Sequence, residues 1–155
     1  MKKSSERVFS LSDAYDIQKN NELLFISIQP EFSEMIRAGT KTVELRKRKP
    51  KNISKFAIIY ESSPKQTVSF LISIKKVHAA STKVIWEKYR KKCGVSKKYF
   101  NEYYRGSKEG IAILIDKVIP LEQTIPRKIL SKYGLTPPQD YRYAQKEVIM
   151  RIMNR

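Results

Sequence analysis

The stretch AGTKTVELRKRK, residues 38–49, decides how the rest of the chain is read. Gly39 ends whatever helix precedes it, because glycine accepts the left-handed backbone of a helix C-terminus. From 42 to 46 the residues alternate: Val43 and Leu45 fall on one face of a strand, Thr42, Glu44 and Arg46 on the other. The chain then turns basic through Lys47, Arg48, Lys49 and Lys51. Glu44 and Arg46 share a strand face, and two readings follow. They pair with each other or with neighbouring strands. Or they contact a ligand, the carboxylate accepting from base amino groups and the guanidinium offering a flat fork to phosphate. Lys41, where helix gives way to strand, can reach a phosphate, or act as a base once desolvated.

LFISI at 24–28 reads as a buried strand, and Pro30 suits the first turn of a helix carrying Phe32, Met35 and Ile36. Beyond the basic loop, KFAIIYE at 55–61 and VSFLISIKKV at 68–77 are strands joined by a turn at SSPK. Ser81 caps a helix with Trp86, Tyr89 and Cys93 that runs to Gly94, and Ser96 caps a second one. GIAILIDKVIP at 110–120 is a strand ended by Pro120. Two helices finish the chain, one from Pro126 to about Gly134, the other after Thr136-Pro137-Pro138 and on toward Met153. Tyr141, Arg142 and Tyr143 then form the packed face of that last helix or close over a cleft. Strands and helices mix without regular βαβ alternation, so the expected class is α+β: a small, mostly antiparallel sheet or barrel flanked by helices.

The 155 residues suit one domain with a real core. A net charge of +17 points to a polyanionic partner, nucleic acid ahead of an acidic membrane. Charges cancel within 1–22, which reads as a polar tail or arm holding a short helix near 12–18. One cysteine, Cys93, forbids an internal disulfide, and one histidine, His78, leaves too few ligands for a His/Cys zinc site. His78 reads as a strand-end residue. No apolar run reaches membrane-spanning length and 1–16 lacks a signal-peptide core, so a cytoplasmic location is expected.

Three further groups are candidates for binding. Lys47, Arg48 and Lys49 form either a phosphate-facing loop or a solvated hairpin tip. Between 83 and 98, Lys83, Lys88, Arg90, Lys91, Lys92, Lys97 and Lys98 stand against Glu87 alone, with Tyr89, Tyr99, Tyr103 and Tyr104 nearby. Cations interleaved with aromatic faces suit unpaired RNA bases. Trp86, Phe100 and one of Tyr103 and Tyr104 repeat at helical spacing and read as core. Ser62 and Ser63 precede Pro64 at a strand end, where they either make a plain turn or hold an anion.

The strand, short helix and Gly-x-Lys-Thr-x-Glu-x-Arg run, here Gly39, Lys41, Thr42, Glu44 and Arg46, resemble the ASCH family, a branch of the PUA-like barrels. IIYESSP at 58–64, the aromatic-rich segment at 86–106 and GIAILIDKV at 110–118 extend the resemblance over 23–119. PPQDYRY at 137–143 is similar to an extension in a branch assigned a regulatory role, including transcriptional regulators. The resemblance implies a pseudo-barrel with a cleft lined by the motif's polar residues, and RNA binding. Some members of the family are enzymes, an acetylcytidine amidohydrolase and a nuclease among them. Lys41 matches the amidohydrolase's catalytic lysine. Its threonine three positions on falls at Glu44, and its acidic residue falls among Lys91, Lys92 and Cys93, so that activity is not carried over.

The resulting expectation is a PUA-like barrel at 23–119 with a helical extension at 120–155 packed on it. It binds RNA, or less readily DNA, through Lys41, Thr42, Glu44, Arg46, Lys47, Arg48, Lys49, Ser62, Ser63, Arg90, Lys91 and Lys92. The second reading is a hydrolase or nuclease acting on nucleic acid or a modified nucleoside through Lys41 and Glu44. No cofactor or metal is implied, and the chain is expected to be monomeric or weakly dimeric.

Overall fold

A computed structural model describes residues 22–155. The helix expected near 12–18 and the tail assigned to 1–22 lie outside the described residues, except Glu22, which is the first residue of a strand. The elements are β1 (Glu22–Ile28), α1 (Pro30–Ala38), β2 (Val43–Arg46), β3 (Phe56–Glu61), β4 (Thr67–Ser81), α2 (Thr82–Tyr89), α3 (Lys97–Tyr103), β5 (Glu109–Pro126), α4 (Arg127–Lys132), β6 (Tyr141–Gln145) and α5 (Lys146–Met153). The strands form one sheet in the order β2-β5-β4-β3-β1-β6. All neighbours are antiparallel except β1 and β3. The class is α+β, as expected. Closure into a barrel is not shown: among the described residues no ladder joins β2 to β6, the two ends of the sheet.

Local signals set the helix ends. Pro30 opens α1, and Gly39 ends it at φ 79°. The Gly39 and Thr40 N–H groups donate to the Ile36 and Met35 carbonyls, satisfying acceptors the last turn would otherwise leave open. The Ser81 and Ser96 hydroxyls accept from the Val84 and Tyr99 N–H groups, capping α2 and α3.

The central strands are apolar on both faces, so alternate residues enter different cores. Leu23, Phe25, Phe56 and Ile58 pack beneath Leu130 of α4 and Ile149 and Ile152 of α5. Leu24, Ile26, Ala57 and Ile59 join Ile36 of α1 and Ile111 and Ile113 of β5. A third cluster fastens the α2–α3 hairpin to the sheet edge: Val43 and Leu45 of β2 meet Ile85, Tyr89, Phe100 and Tyr104. Val43 and Leu45 are thus the core face of β2, which turns Glu44 and Arg46 the other way.

Three expectations need correction. β5 passes through Pro120 and ends only at Pro126. β2 pairs with β5 over 111–114 alone, so at Pro120 a missing N–H costs no ladder bond on that side, and β4 shows a register shift there. Residues 141–145 are a strand on β1, with Leu24 opposite Tyr143 and Phe25 opposite Arg142, and the last helix begins only at Lys146. The 120–155 segment is therefore part of the sheet as well as helical. Tyr89, read among the surface aromatics, is buried, and its hydroxyl lies 2.7 Å from His78 Nδ1. Desolvation, then nearby Lys88 and Lys76, holds the His78 pKa below its usual value.

Candidate functional site

The sheet's open seam is the candidate site. Arg46, on the last residue of β2, reaches across it. Its Nη1 donates to Asp140 Oδ1 at 2.7 Å, just before β6, and its Nη2 donates to the Ser27 carbonyl of β1 at 2.9 Å. One side chain thus bridges the two sheet edges that no backbone ladder connects. Beside it lies a cavity of about 500 Å³, a size usual for small-ligand pockets. β1 contributes Ser27, Ile28 and Gln29, α1 Phe32, and β2 Glu44, Leu45 and Arg46. Tyr60, Ser62, Ser63 and Gln66 form another side, Tyr99 and Tyr103 of α3 a third, and Pro137, Pro138 and Gln139 a fourth.

Three charged side chains are buried in this wall: Lys41 at 3%, Glu44 at 7% and Arg46 at 8% exposure. Glu44 stands between two cations. Its Oε1 is 3.3 Å from Arg46 Nη2 and its Oε2 3.5 Å from Lys41 Nζ. Oε2 nevertheless accepts no hydrogen bond among the described residues, and neither does Arg46 Nε find an acceptor. An unsatisfied donor and an unsatisfied acceptor, both buried in a cavity wall, are a costly arrangement that a ligand would relieve. Burial disfavours the Arg46 cation, but Glu44 and then Asp140 outweigh it and raise its pKa above the ordinary range.

Lys41 is held from behind. Its ammonium donates to the Cys93 carbonyl at 2.5 Å and lies 5.4 Å above the Phe32 ring. Its stem packs against Gly94, where an added Cβ would come 3.2 Å from the Lys41 Cβ. Gly94 also has φ 68°, so both backbone and space require glycine.

The aromatic wall keeps its protons. Burial pushes the Tyr103 phenol up to about 12 and raises that of Tyr99. Their rings are nearly parallel, at 12° and 6.4 Å between centroids, and Tyr99 is 40% exposed. Burial also raises Tyr60, opposed by the charge of Arg127, which brings a further cation to the cavity rim.

Of the residues singled out in the sequence, Lys41, Glu44, Arg46, Ser62 and Ser63 line the cavity. Thr42 does not: it is exposed, and its backbone joins Lys92 and Ile115. Lys47, Arg48 and Lys49 are exposed on the rim. Lys47 lies over the Tyr103 ring and Arg48 over the Tyr141 ring, both at 5.0 Å. Their loop is no free tip, since the Tyr143 hydroxyl bonds both the N–H and the carbonyl of Asn52 at 3.0 Å. Arg90, Lys91 and Lys92 lie outside the cavity, where the Lys92 carbonyl caps the free edge of β2 through Thr42 and Val43. Sequence reasoning missed Ser27, Gln29, Tyr60, Arg127 and Asp140. The lone polar residue inside LFISI was the available signal for Ser27; Tyr60 and Asp140 lay in IIYESSP and PPQDYRY, which carried the resemblance but were not read for these two residues, and nothing marked Gln29 or Arg127. Among the described residues no three His, Cys, Asp or Glu side chains cluster to hold a metal, and no helix is long and apolar enough to cross a membrane.

The profile described as ASCH domain matches residues 26–124. An ASCH domain-containing ribonuclease from Zymomonas mobilis is 25% identical over 143 residues, covering 90% of this chain and 95% of that one. The crystal structure of ASCH from the same organism superposes at a TM-score of 0.80 with 24% identity, over 87% of this chain and 96% of that one. ATP synthase subunit alpha of Ureaplasma parvum is 31% identical over 112 residues, 72% of this chain but only 14% of that protein. The regulatory role expected from PPQDYRY finds no support among these relatives.

Proposed function

This chain belongs to the ASCH domain family, and from that premise we propose that it is an RNA-cleaving enzyme whose reaction takes place in the seam between β1, β2 and α3. The relationship to a ribonuclease supports the second of the two sequence readings, an enzyme acting on nucleic acid, over a binding module alone.

The observation that carries the proposal is Glu44. A cleft that held only the phosphates of a polyanion would gain nothing from a carboxylate buried in its wall, whereas one that reads a base could use it as an acceptor. Such a group repels phosphate, and its desolvation costs several kcal/mol. A phosphodiester cleavage site does need one, as a proton acceptor among cations. In the proposed step, Glu44 takes the proton from an RNA 2′-hydroxyl as O2′ bonds to the adjacent phosphorus. The P–O5′ bond breaks, and the departing 5′-oxygen takes a proton from Lys41. The products are a 2′,3′-cyclic phosphate and a 5′-hydroxyl. The 3.5 Å between Lys41 Nζ and Glu44 Oε2 then lets the proton return from carboxyl to amine. Arg46 and Arg127 balance charge on the non-bridging oxygens. Tyr99 offers its exposed face to an unpaired base.

The test is incubation with labelled single-stranded RNA, product ends identified by mass spectrometry, alongside an RNA with one 2′-deoxyribose. Cleavage to a cyclic phosphate everywhere except at the deoxy position is expected. Glu44→Gln should lower kcat about 10²–10⁴-fold while binding persists. A wild-type protein that binds RNA without cutting it would restore the binding-module reading, with Glu44 accepting from a base. Cutting by Glu44→Gln at the wild-type rate would remove Glu44 from the chemistry.

A further inference from the structure

The cavity accounts for little of the protein's charge. Lys41 and Arg46 are answered there by Glu44 and Asp140. α1 is balanced too, with Arg37 on Glu61 at 2.8 Å and Lys65 on Glu34 at 2.9 Å. About a third of the surplus, +6 of +17, lies on one other segment. Residues 82–109, the α2–α3 hairpin and its return, carry nine basic side chains against Glu87, Glu102 and Glu109. All nine basic residues are exposed, and among the described residues none has an acidic partner within 4.0 Å.

These cations are held on a firm base. The Trp86 and Phe100 rings pack at 5.0 Å, locking the two helices together, and Lys97 lies over Trp86 at 4.8 Å. The Thr82 N–H donates to the Lys108 carbonyl, which brings Lys108 to the start of α2 beside Lys83. Unpaired like charges on one rigid surface repel one another and weaken the fold. An extended polyanion removes that repulsion and releases its own counterions. The same helix, α3, supplies Tyr99 and Tyr103 to the cavity, so hairpin and cavity share one element.

We infer that the α2–α3 hairpin is a second RNA-binding surface, which takes the ribose-phosphate backbone flanking the nucleotide held in the seam. It contacts phosphates rather than bases, since its side chains are exposed cations without an accompanying slot. The inference rests on the reading that RNA is the substrate, and it deepens it: the substrate is an RNA chain longer than the cavity, not a mononucleotide or a free nucleoside.

Two variants of equal charge separate a surface from mere net charge. Lys83, Lys88 and Lys91 are changed to Gln in one, and Lys117, Lys128 and Lys132, exposed on β5 and α4, in the other. Anisotropy titrations use an RNA of roughly 20 nucleotides and one of roughly four, between about 50 and 300 mM salt. Thermal melts of each variant establish that it is folded. For the long RNA the hairpin variant should lose about 2 from the slope of log K against log salt, and at least roughly tenfold in affinity, as expected for three lost single-strand phosphate contacts. The short RNA should respond far less, and the control variant should shift the long RNA's slope only slightly. Equal losses in both variants, or equal sensitivity of both RNAs, would overturn the second surface. Binding is the readout, so a wild-type protein that fails to cut RNA leaves this test intact and sinks only the catalytic reading.

Discussion

The seam and the hairpin both carry cations, but in opposite physical states. In the seam Lys41 and Arg46 are buried and answered by Glu44 and Asp140 within 2.7–3.5 Å. On the hairpin nine cations are exposed and unanswered among the described residues. Burial makes a charge expensive, so it persists only where partners hold it in one geometry, as chemistry at a fixed atom requires. Exposure makes a charge cheap, imprecise and salt-sensitive, which suits a surface that follows a backbone without reading it. The comparison teaches that net charge alone locates neither proposed site: the side chains proposed to do chemistry are close to neutral as a group.

The sharpest way to break this contrast is through stability. Arg46→Ala leaves Glu44 short of a partner and cuts the bridge across the seam, so unfolding free energy should fall by about 3–5 kcal/mol, as for other broken buried pairs. Arg90→Ala should stay within about 0.5 kcal/mol of the wild type. Denaturant midpoints for the two variants check this, and similar losses would erase the distinction. A smaller effect is expected at Gly94→Ala. The φ of 68° should cost roughly 1–2 kcal/mol, and the new methyl meets the Lys41 stem. Loss of turnover beyond that destabilisation, read as kcat at a temperature where the variant is folded, would show that Gly94 places Lys41. The smallest effect concerns pH. The Tyr103 phenol is raised to about 12 in the folded protein from an ordinary value of 10.0. The unfolded chain therefore releases this proton first, and the stabilisation is complete below pH 10 and lost as pH climbs toward 12. Melting temperature should decline over that range, and Tyr103→Phe should flatten the decline.

Much of the fold was legible because it depends on near neighbours. Pro30, Gly39, Ser81 and Ser96 act within one helical turn, and alternation through 42–46 separates Val43 and Leu45 from Glu44 and Arg46 without reference to the rest of the chain. Two boundaries were not legible. Pro120 ends a strand only if an N–H is needed at its position, and whether one is needed depends on how far β2 extends along β5. YRYAQ runs into KEVIMRIM with no breaker between them, and only the free edge of β1 turns the first five residues into a strand.

The site divides the same way. The sequence by itself determined that Lys41, Glu44 and Arg46 occupy one short segment, that two of them share a face, and that the charge surplus calls for a polyanion. It also marked Ser62 and Ser63, through a turn at a strand end. Only the tertiary structure decided that those serines meet the motif in one cavity. It also decided that Ser27, 19 positions from Arg46, and Asp140, 94 positions away, hold the guanidinium. And it left Arg90, Lys91 and Lys92 outside that cavity. The physical reason is range. Periodicity and capping act between residues a few positions apart, whereas a buried charge is set by whatever the closing sheet brings beside it.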